Sequence, residues 1–105
     1  MIVEYIRYQI DSDRQAAFED AYGQAQQLLG QSTHCLGWEL SRCVEEMESY
    51  ILRIEWDSVD GHMQGFRSSP EFRTFFAAIR PYIGDIQEMR HYEQTSVVGA
   101  GTSNR

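Results

Sequence analysis

A chain of 105 residues, 42% hydrophobic and 12% aromatic, is long enough for one domain around a single modest core and too apolar for a disordered segment. Its net charge of −7, with 9 Lys and Arg scattered along it, repels a phosphate backbone and speaks against nucleic acid as a partner. No run approaches the roughly 18 apolar residues of a membrane span, and the N-terminus MIVEYIRYQIDSD lacks the basic and apolar regions of a signal peptide, so a cytoplasmic protein without a membrane partner is expected.

Ile2 to Ile10 alternates as a strand, with Ile2, Ile6, Tyr8 and Ile10 on one face and Val3, Tyr5 and Arg7 on the other. Ser12 and Gln15 have capping-box spacing and open a helix. Its stripe of Phe18, Ala21, Tyr22, Ala25, Leu28 and Leu29 follows the helical period, and Gly30 ends it. Cys35 to Val44 reads as the second strand, with Leu36, Trp38 and Leu40 alternating against Gly37, Glu39 and Ser41. The acidic Glu45, Glu46 and Glu48 are expected in a solvated hairpin turn rather than a metal site.

Tyr50 to Trp56, β-branched and aromatic, is the third strand. Asp57 or Ser58 can cap a short helix after it, because their side-chain oxygens accept from the first turn's free N–H groups. Ser69-Pro70 starts a second helix, Gly84 breaks it, and Asp85 to Glu93 forms the last strand. Residues 1–94 are thus the expected domain, and 95–105, rich in Gly, Ser, Thr and Asn, a flexible tail. Cys35 and Cys43 fall on one strand. At ~3.3 Å per residue they stand about 26 Å apart, beyond disulfide reach. Reduced thiols agree with a reducing compartment.

The order β-α-β-β-α-α-β builds a ferredoxin-like α+β fold, a four-stranded antiparallel sheet with its helices on one face. The other face is left bare. Val3, Tyr5, Ile51 and either Met89 or Ile86 can make it apolar, and a second copy packed against it would cover it. The strand pattern therefore predicts a homodimer through the open sheet face.

The segment from Ser49 to Tyr82, SYILRIEWDSVDGHMQGFRSSPEFRTFFAAIRPY, runs strand, Trp-Asp, short helix, Ser-Pro-x-Phe, helix. That order resembles the antibiotic biosynthesis monooxygenase family. The resemblance implies a dimeric α+β barrel and an activity among cofactor-independent oxygenases, with haem-degrading relatives. The former deprotonate a phenol or hydroquinone, whose anion reduces O2 directly. Many members carry a His one turn further along the first short helix and another in the Ser-Pro-x-Phe segment; here those positions hold Gly65 and Glu71, and His62 stands a turn earlier. The haem-degrading branch uses a Trp and a His at positions that fall here on Gly65 and about Phe76, neither of which can bind iron. No cofactor and no metal are expected.

On the first short helix Val59, His62, Met63 and Phe66 share a face, and on the second Phe72, Phe75, Phe76 and Ile79 form the inward stripe. An aromatic pocket between helices and sheet is expected, with His62, Trp56 and Arg53 as catalytic candidates and Tyr22, Met63, Phe66, Phe72, Phe76 and His91 against the substrate. His62 is either a general base or a core-edge histidine bonded to a carbonyl. His91 and Tyr92 face opposite ways on their strand, so only one enters the pocket, and His34 reads as a loop residue. Arg7 and Arg53 are expected to pair with strand carboxylates such as Glu4 and Glu55 unless one faces the pocket.

A phenol near pKa 10 and a His near 6.5 differ by about 5 kcal/mol, whereas one charge-assisted hydrogen bond supplies about 1.5–3 kcal/mol. His62 therefore needs helpers, and Trp56, Arg53, Arg67 and Tyr22 are the candidates. Two other readings stand beside the oxygenase: a non-catalytic dimeric module that binds a small apolar ligand, and a haem-binding or haem-degrading protein.

Overall fold

The computed structural model describes residues 1–102, so the last three residues of the expected tail lie outside the described residues. The chain runs β1 (Ile2–Gln9), a 3₁₀ turn (Ser12–Arg14), α1 (Gln15–Gln31), β2 (Cys35–Arg42), β3 (Ser49–Trp56), a π-helical turn (Gly61–Phe66), α2 (Pro70–Ile79), a second 3₁₀ turn (Arg80–Asp85) and β4 (Ile86–Glu93). All sheet pairings are antiparallel, in the spatial order β2-β3-β1-β4. This is the expected ferredoxin-like α+β arrangement, an open four-stranded sheet rather than a closed barrel within one chain. Residues 95–102 carry no helix or strand, and no described helix is long and apolar enough to cross a membrane.

Alternation in β1 and β3 drives the core. Ile6 and Tyr8 of β1 and Tyr50, Leu52, Ile54 and Trp56 of β3 turn their side chains to one face and bury them under Phe18, Tyr22, Ala25 and Leu29 of α1. Phe18 is the hub. Tyr8, Tyr22, Tyr50 and Tyr82 meet it edge to face with centroids 4.9, 5.3, 4.9 and 5.1 Å away. Each such pair adds about 0.5–1.5 kcal/mol beyond burial.

Several local expectations are corrected. The Ser12 capping box does not form: Ser12 lies in the 3₁₀ turn, and Gln15 Nε2 donates instead to the carbonyls of Ile10 (3.2 Å) and Met47 (2.8 Å), pinning the helix start to the β2–β3 hairpin. Helix α1 passes through Gly30 to Gln31, and β2 stops at Arg42, so Cys43 lies beyond it. Helix α2 ends at Ile79, before Gly84, and narrows into the 3₁₀ turn containing Pro81. Both cysteines are free thiols.

The register of β4 shifts at a bulge: Arg7 faces Glu88 but Tyr8 faces Ile86. The extra residue, Gln87, puts both Ile86 and Met89 on the helix-covered side. Neither therefore contributes to the open face. That face carries Val3, Tyr5, Ile51 and Tyr92 among charged pairs: Arg53 with Glu55 and Tyr5, Arg7 with Glu88 (3.9 Å) and Arg90 with Glu88 (3.0 Å). Tyr5 and Tyr92 touch edge to face at 5.4 Å.

Candidate functional site

The site begins with a residue that breaks the pattern of β1. Glu4 occupies an inward position between Ile2 and Ile6, its register partners being Ile54 of β3 and His91 of β4. It is only 1% exposed. A carboxylate there must be held by polar groups. The Trp56 indole Nε1–H donates to Glu4 Oε1 at 3.0 Å, and among the described residues no buried side-chain nitrogen or oxygen lacks a partner.

The π-helical turn brings the imidazole. Ser58 Oγ accepts from the Gly61 N–H at 2.8 Å, as its capping role predicts, and the Arg67 N–H reaches back five residues to the His62 carbonyl at 3.0 Å. This wider winding re-phases the helix face, so Gly61, His62 and Phe66 are buried whereas Val59 and Met63 turn outward. The turn fits because Gly61 and Gly65 lack side chains. A Cβ on Gly61 would lie 1.9 Å from Asp57 Oδ1, and one on Gly65 would lie 2.4 Å from His34 Cδ2. The His34 ring spans both glycines and is fixed by Asp57, Nδ1 to Oδ2 at 2.9 Å.

His62 then lies flat on Trp56, ring centroids 4.3 Å apart and planes 14° from parallel. Its Nδ1 shares a proton with His91 Nε2 across 2.7 Å, and its Nε2 lies 3.6 Å from Glu4 Oε1. The second approach is too long for a hydrogen bond. Burial, with the charge of Arg67 and the neighbouring His91, holds His62 down to about 4, so the ring is neutral near pH 7. Burial and Arg67 also lower His91. Burial raises Glu4 against the opposing pull of the Trp56 N–H and Arg67.

Beside this cluster lies a cavity of ≈ 210 Å³. Ile6, Leu29, Ile54, Phe66, Phe72, Phe75 and Ile79 wall it, while Glu4, Tyr8, His62 and Arg67 are its ionisable lining. Phe76, Ile83 and Met89, which are 37%, 36% and 44% exposed, border the opening. Drug-sized sites occupy roughly 300–1,000 Å³, so this one suits a one- or two-ring molecule. A second, shallower groove of ≈ 400 Å³ between α1 and β2–β3 holds Tyr22, Trp38 and Arg42 but no imidazole.

Of the residues expected at the site, the structure gathers His62, Trp56, Phe66, Phe72 and Phe76 around the cavity and places His91 behind His62. It does not bring in Arg53, Tyr22 or Met63. Arg53 lies on the opposite face of the sheet, paired with Glu55. Tyr22 faces the other groove, its hydroxyl bonded to that of Tyr8. Met63 is turned out by the π winding. The side-chain partner of His62 is another imidazole rather than the carbonyl of the core-edge alternative.

Glu4 was expected to pair with a strand arginine, yet Arg7 pairs with Glu88 and Arg53 with Glu55. Its signal was its place among Ile2, Ile6 and Tyr8 on the inward face. Among the described residues Glu4, His62 and His91 are the group able to hold a metal ion, one ligand atom from each lying within 4.8 Å of the others.

Fold and site together define a ferredoxin-like protein with an aromatic cavity between helices and sheet and a buried carboxylate–imidazole cluster at its wall. The profile of the antibiotic biosynthesis monooxygenases matches residues 1–78, and the chain belongs to that family. It is 28% identical over 93 residues to the uncharacterized protein YczJ of Bacillus subtilis, covering 89% of this chain and 98% of that one. A structure assigned to antibiotic biosynthesis monooxygenases from Bordetella bronchiseptica superposes with TM-score 0.79 at 28% identity, over 90% of this chain and 96% of that one. SnoaB, a cofactor-independent oxygenase from Streptomyces nogalater, shares the fold with TM-score 0.73 at 17% identity, over 92% of this chain and 97% of that one.

Proposed function

We propose that this protein is a cofactor-independent monooxygenase that oxidises a small hydrophobic phenol or quinol with O2 in the cavity beside His62. One observation carries the reading: a neutral buried imidazole, backed by His91 and Glu4, faces a chamber of aromatic and aliphatic side chains that Arg67 also lines. The fold shared with SnoaB supports it. For a naphthohydroquinone, one oxygen atom of O2 enters a ring C–H as hydroxyl and the other leaves as water. The substrate supplies all four electrons, two from the quinol and two from the carbon that is hydroxylated.

His62 cannot do this as a simple base. With its value near 4 and a phenol near 10, proton transfer costs about 8 kcal/mol unaided. The surroundings offset that cost. The value near 4 belongs to the site without substrate. Once a phenol is bound, the anion left behind shares the cavity with the imidazolium and with Arg67, and Glu4 Oε1 stands 3.6 Å from His62 Nε2. The aromatic walls exclude water, which strengthens both interactions.

The open sheet face, with Tyr5, Ile51 and Tyr92, is the surface proposed to meet a second copy. Oxygen uptake by chelator-treated protein with naphthohydroquinones and anthrones, beside a His62→Ala control, tests the oxygenase. Uptake lost in the variant is expected. Wild-type uptake no greater than the control's across the panel rejects the reading.

A further inference from the structure

We propose that Glu4, His62 and His91 form a site for one divalent transition-metal ion of the zinc, cobalt or nickel type. The three side chains come from β1, the π-helical turn and β4, and one ligand atom from each lies within 4.8 Å of the others. Two imidazole nitrogens and a carboxylate oxygen are the donors that borderline first-row ions select.

The required movement is small. Ligands bonded at about 2.0–2.2 Å around a tetrahedral ion stand about 3.3 Å from one another. The His62 and His91 nitrogens, now 2.7 Å apart around a shared proton, need only spread slightly as the metal replaces that proton. The Glu4 carboxylate closes the remaining distance by turning about its own side chain.

The surroundings are those of a ligand set rather than a chance cluster. The Trp56 N–H holds Glu4 Oε1, the oxygen that approaches His62, at 3.0 Å, and the Trp56 ring fixes the plane of His62. Three protein ligands leave the ion's fourth position for water, and Glu4 and His62 set the site at the wall of the cavity. The neighbouring Cys35 and Cys43 belong to other regions of the fold and are not in the group.

A metal on His62 Nδ1 breaks the link to His91 and adds positive charge to the ring, which opposes the protonation of His62 Nε2 by the substrate. Metal and proton transfer are then alternatives, and the loaded protein is the inactive form. That consequence rests on the monooxygenase reading; metal binding itself does not.

Equilibrium dialysis of the chelator-treated full chain against Zn2+ tests the site, with Glu4→Gln and His91→Ala checked for folding by circular dichroism. One ion per chain is expected, with affinity falling about tenfold or more in each variant. The visible spectrum of the Co2+-loaded wild-type protein, which needs no variant, should show nitrogen and oxygen ligation without thiolate charge transfer. Less than one ion bound at micromolar Zn2+, an affinity in either variant equal to that of wild type, or a thiolate band overturns the assignment. Oxygen uptake measured with and without Zn2+ is a separate readout, so a protein that binds zinc through these residues but shows no uptake when metal-free rejects the oxygenase reading and leaves the metal site standing.

Discussion

Glu4 and His91 are register partners across β1 and β4, a carboxylate and an imidazole side by side on the helix-covered face of the sheet. Neither is sequence-adjacent to His62, which arrives over them from the π-helical turn and completes the cluster. The sheet register therefore builds two of the three groups, and the winding of one short turn delivers the third.

Glu4→Gln separates the charge of this cluster from its shape. The amide keeps the volume and an oxygen to accept the Trp56 N–H, so folding should change by less than about 1 kcal/mol, within the usual range for a retained hydrogen bond. The imidazolium of His62 loses its counter-charge. We expect kcat/KM for oxygen uptake with a naphthohydroquinone to fall about tenfold or more, which corresponds to about 1.4 kcal/mol of transition-state stabilisation. A value within twofold of wild type, with unchanged Tm, would assign Glu4 a structural role only.

Arg67 and Arg53 give a contrast within one residue type. Arg67 lines the cavity, whereas Arg53 is engaged with Glu55 and the Tyr5 hydroxyl on the far side of the sheet. Arg67→Ala should reduce kcat/KM by about tenfold, the equivalent of one charge-assisted hydrogen bond to an anion. Arg53→Ala should leave kcat/KM unchanged and shift the monomer–dimer balance seen by sedimentation velocity. Equal kinetic losses in the two variants would contradict this division of faces.

The architecture was legible because it follows from period. Alternation in β1 and β3, the stripe of α1 and the Ser69-Pro70 start of α2 each act locally, and the Ser69 hydroxyl does accept from the Phe72 N–H at 3.3 Å. Features that depend on a second segment were not legible. The Ser12 box lost to a contact between Gln15 and the hairpin carbonyl of Met47. The β4 bulge put both Met89 and Ile86 on the covered side where one of the two was expected on the open face, and the π winding rotated Met63 away while keeping His62 inside. Glu4 was visible as a charge at an inward position, but its partners lie 52 and 58 residues away along the chain.

The glycines of the π-helical turn make a sharper test of how His62 is held. A Cβ at position 65 would overlap the His34 ring at 2.4 Å, so Gly65→Ala must push that ring aside and break its bond to Asp57. We expect a loss of about 1–3 kcal/mol in urea unfolding, typical of forced repacking. His34→Ala removes the obstacle. The double variant His34→Ala with Gly65→Ala should then be about as stable as His34→Ala alone, the non-additivity expected of residues in contact. Additive losses would mean that the backbone itself, and not His34, demands glycine.

The same Asp57–His34 pair predicts a pH dependence. The His34 side chain, hydrogen-bonded to Asp57 Oδ2, holds the Asp57 carboxyl below its ordinary value of 3.8. A carboxylate whose folded value is depressed stabilises the fold above its unfolded value, and that contribution disappears as pH falls through the lower, folded one. Asp57→Asn lacks the charge at every pH. Its Tm should therefore lie below that of wild type at pH 6, and the gap should close as the pH drops below about 3.8, the unfolded value from which the shift is measured. Because both proteins carry the same other carboxylates, the difference between the two melting curves isolates this one. A gap that persists unchanged to pH 2 would show that Asp57 acts on the turn through its shape and its bond to Ser58 rather than through its charge on His34.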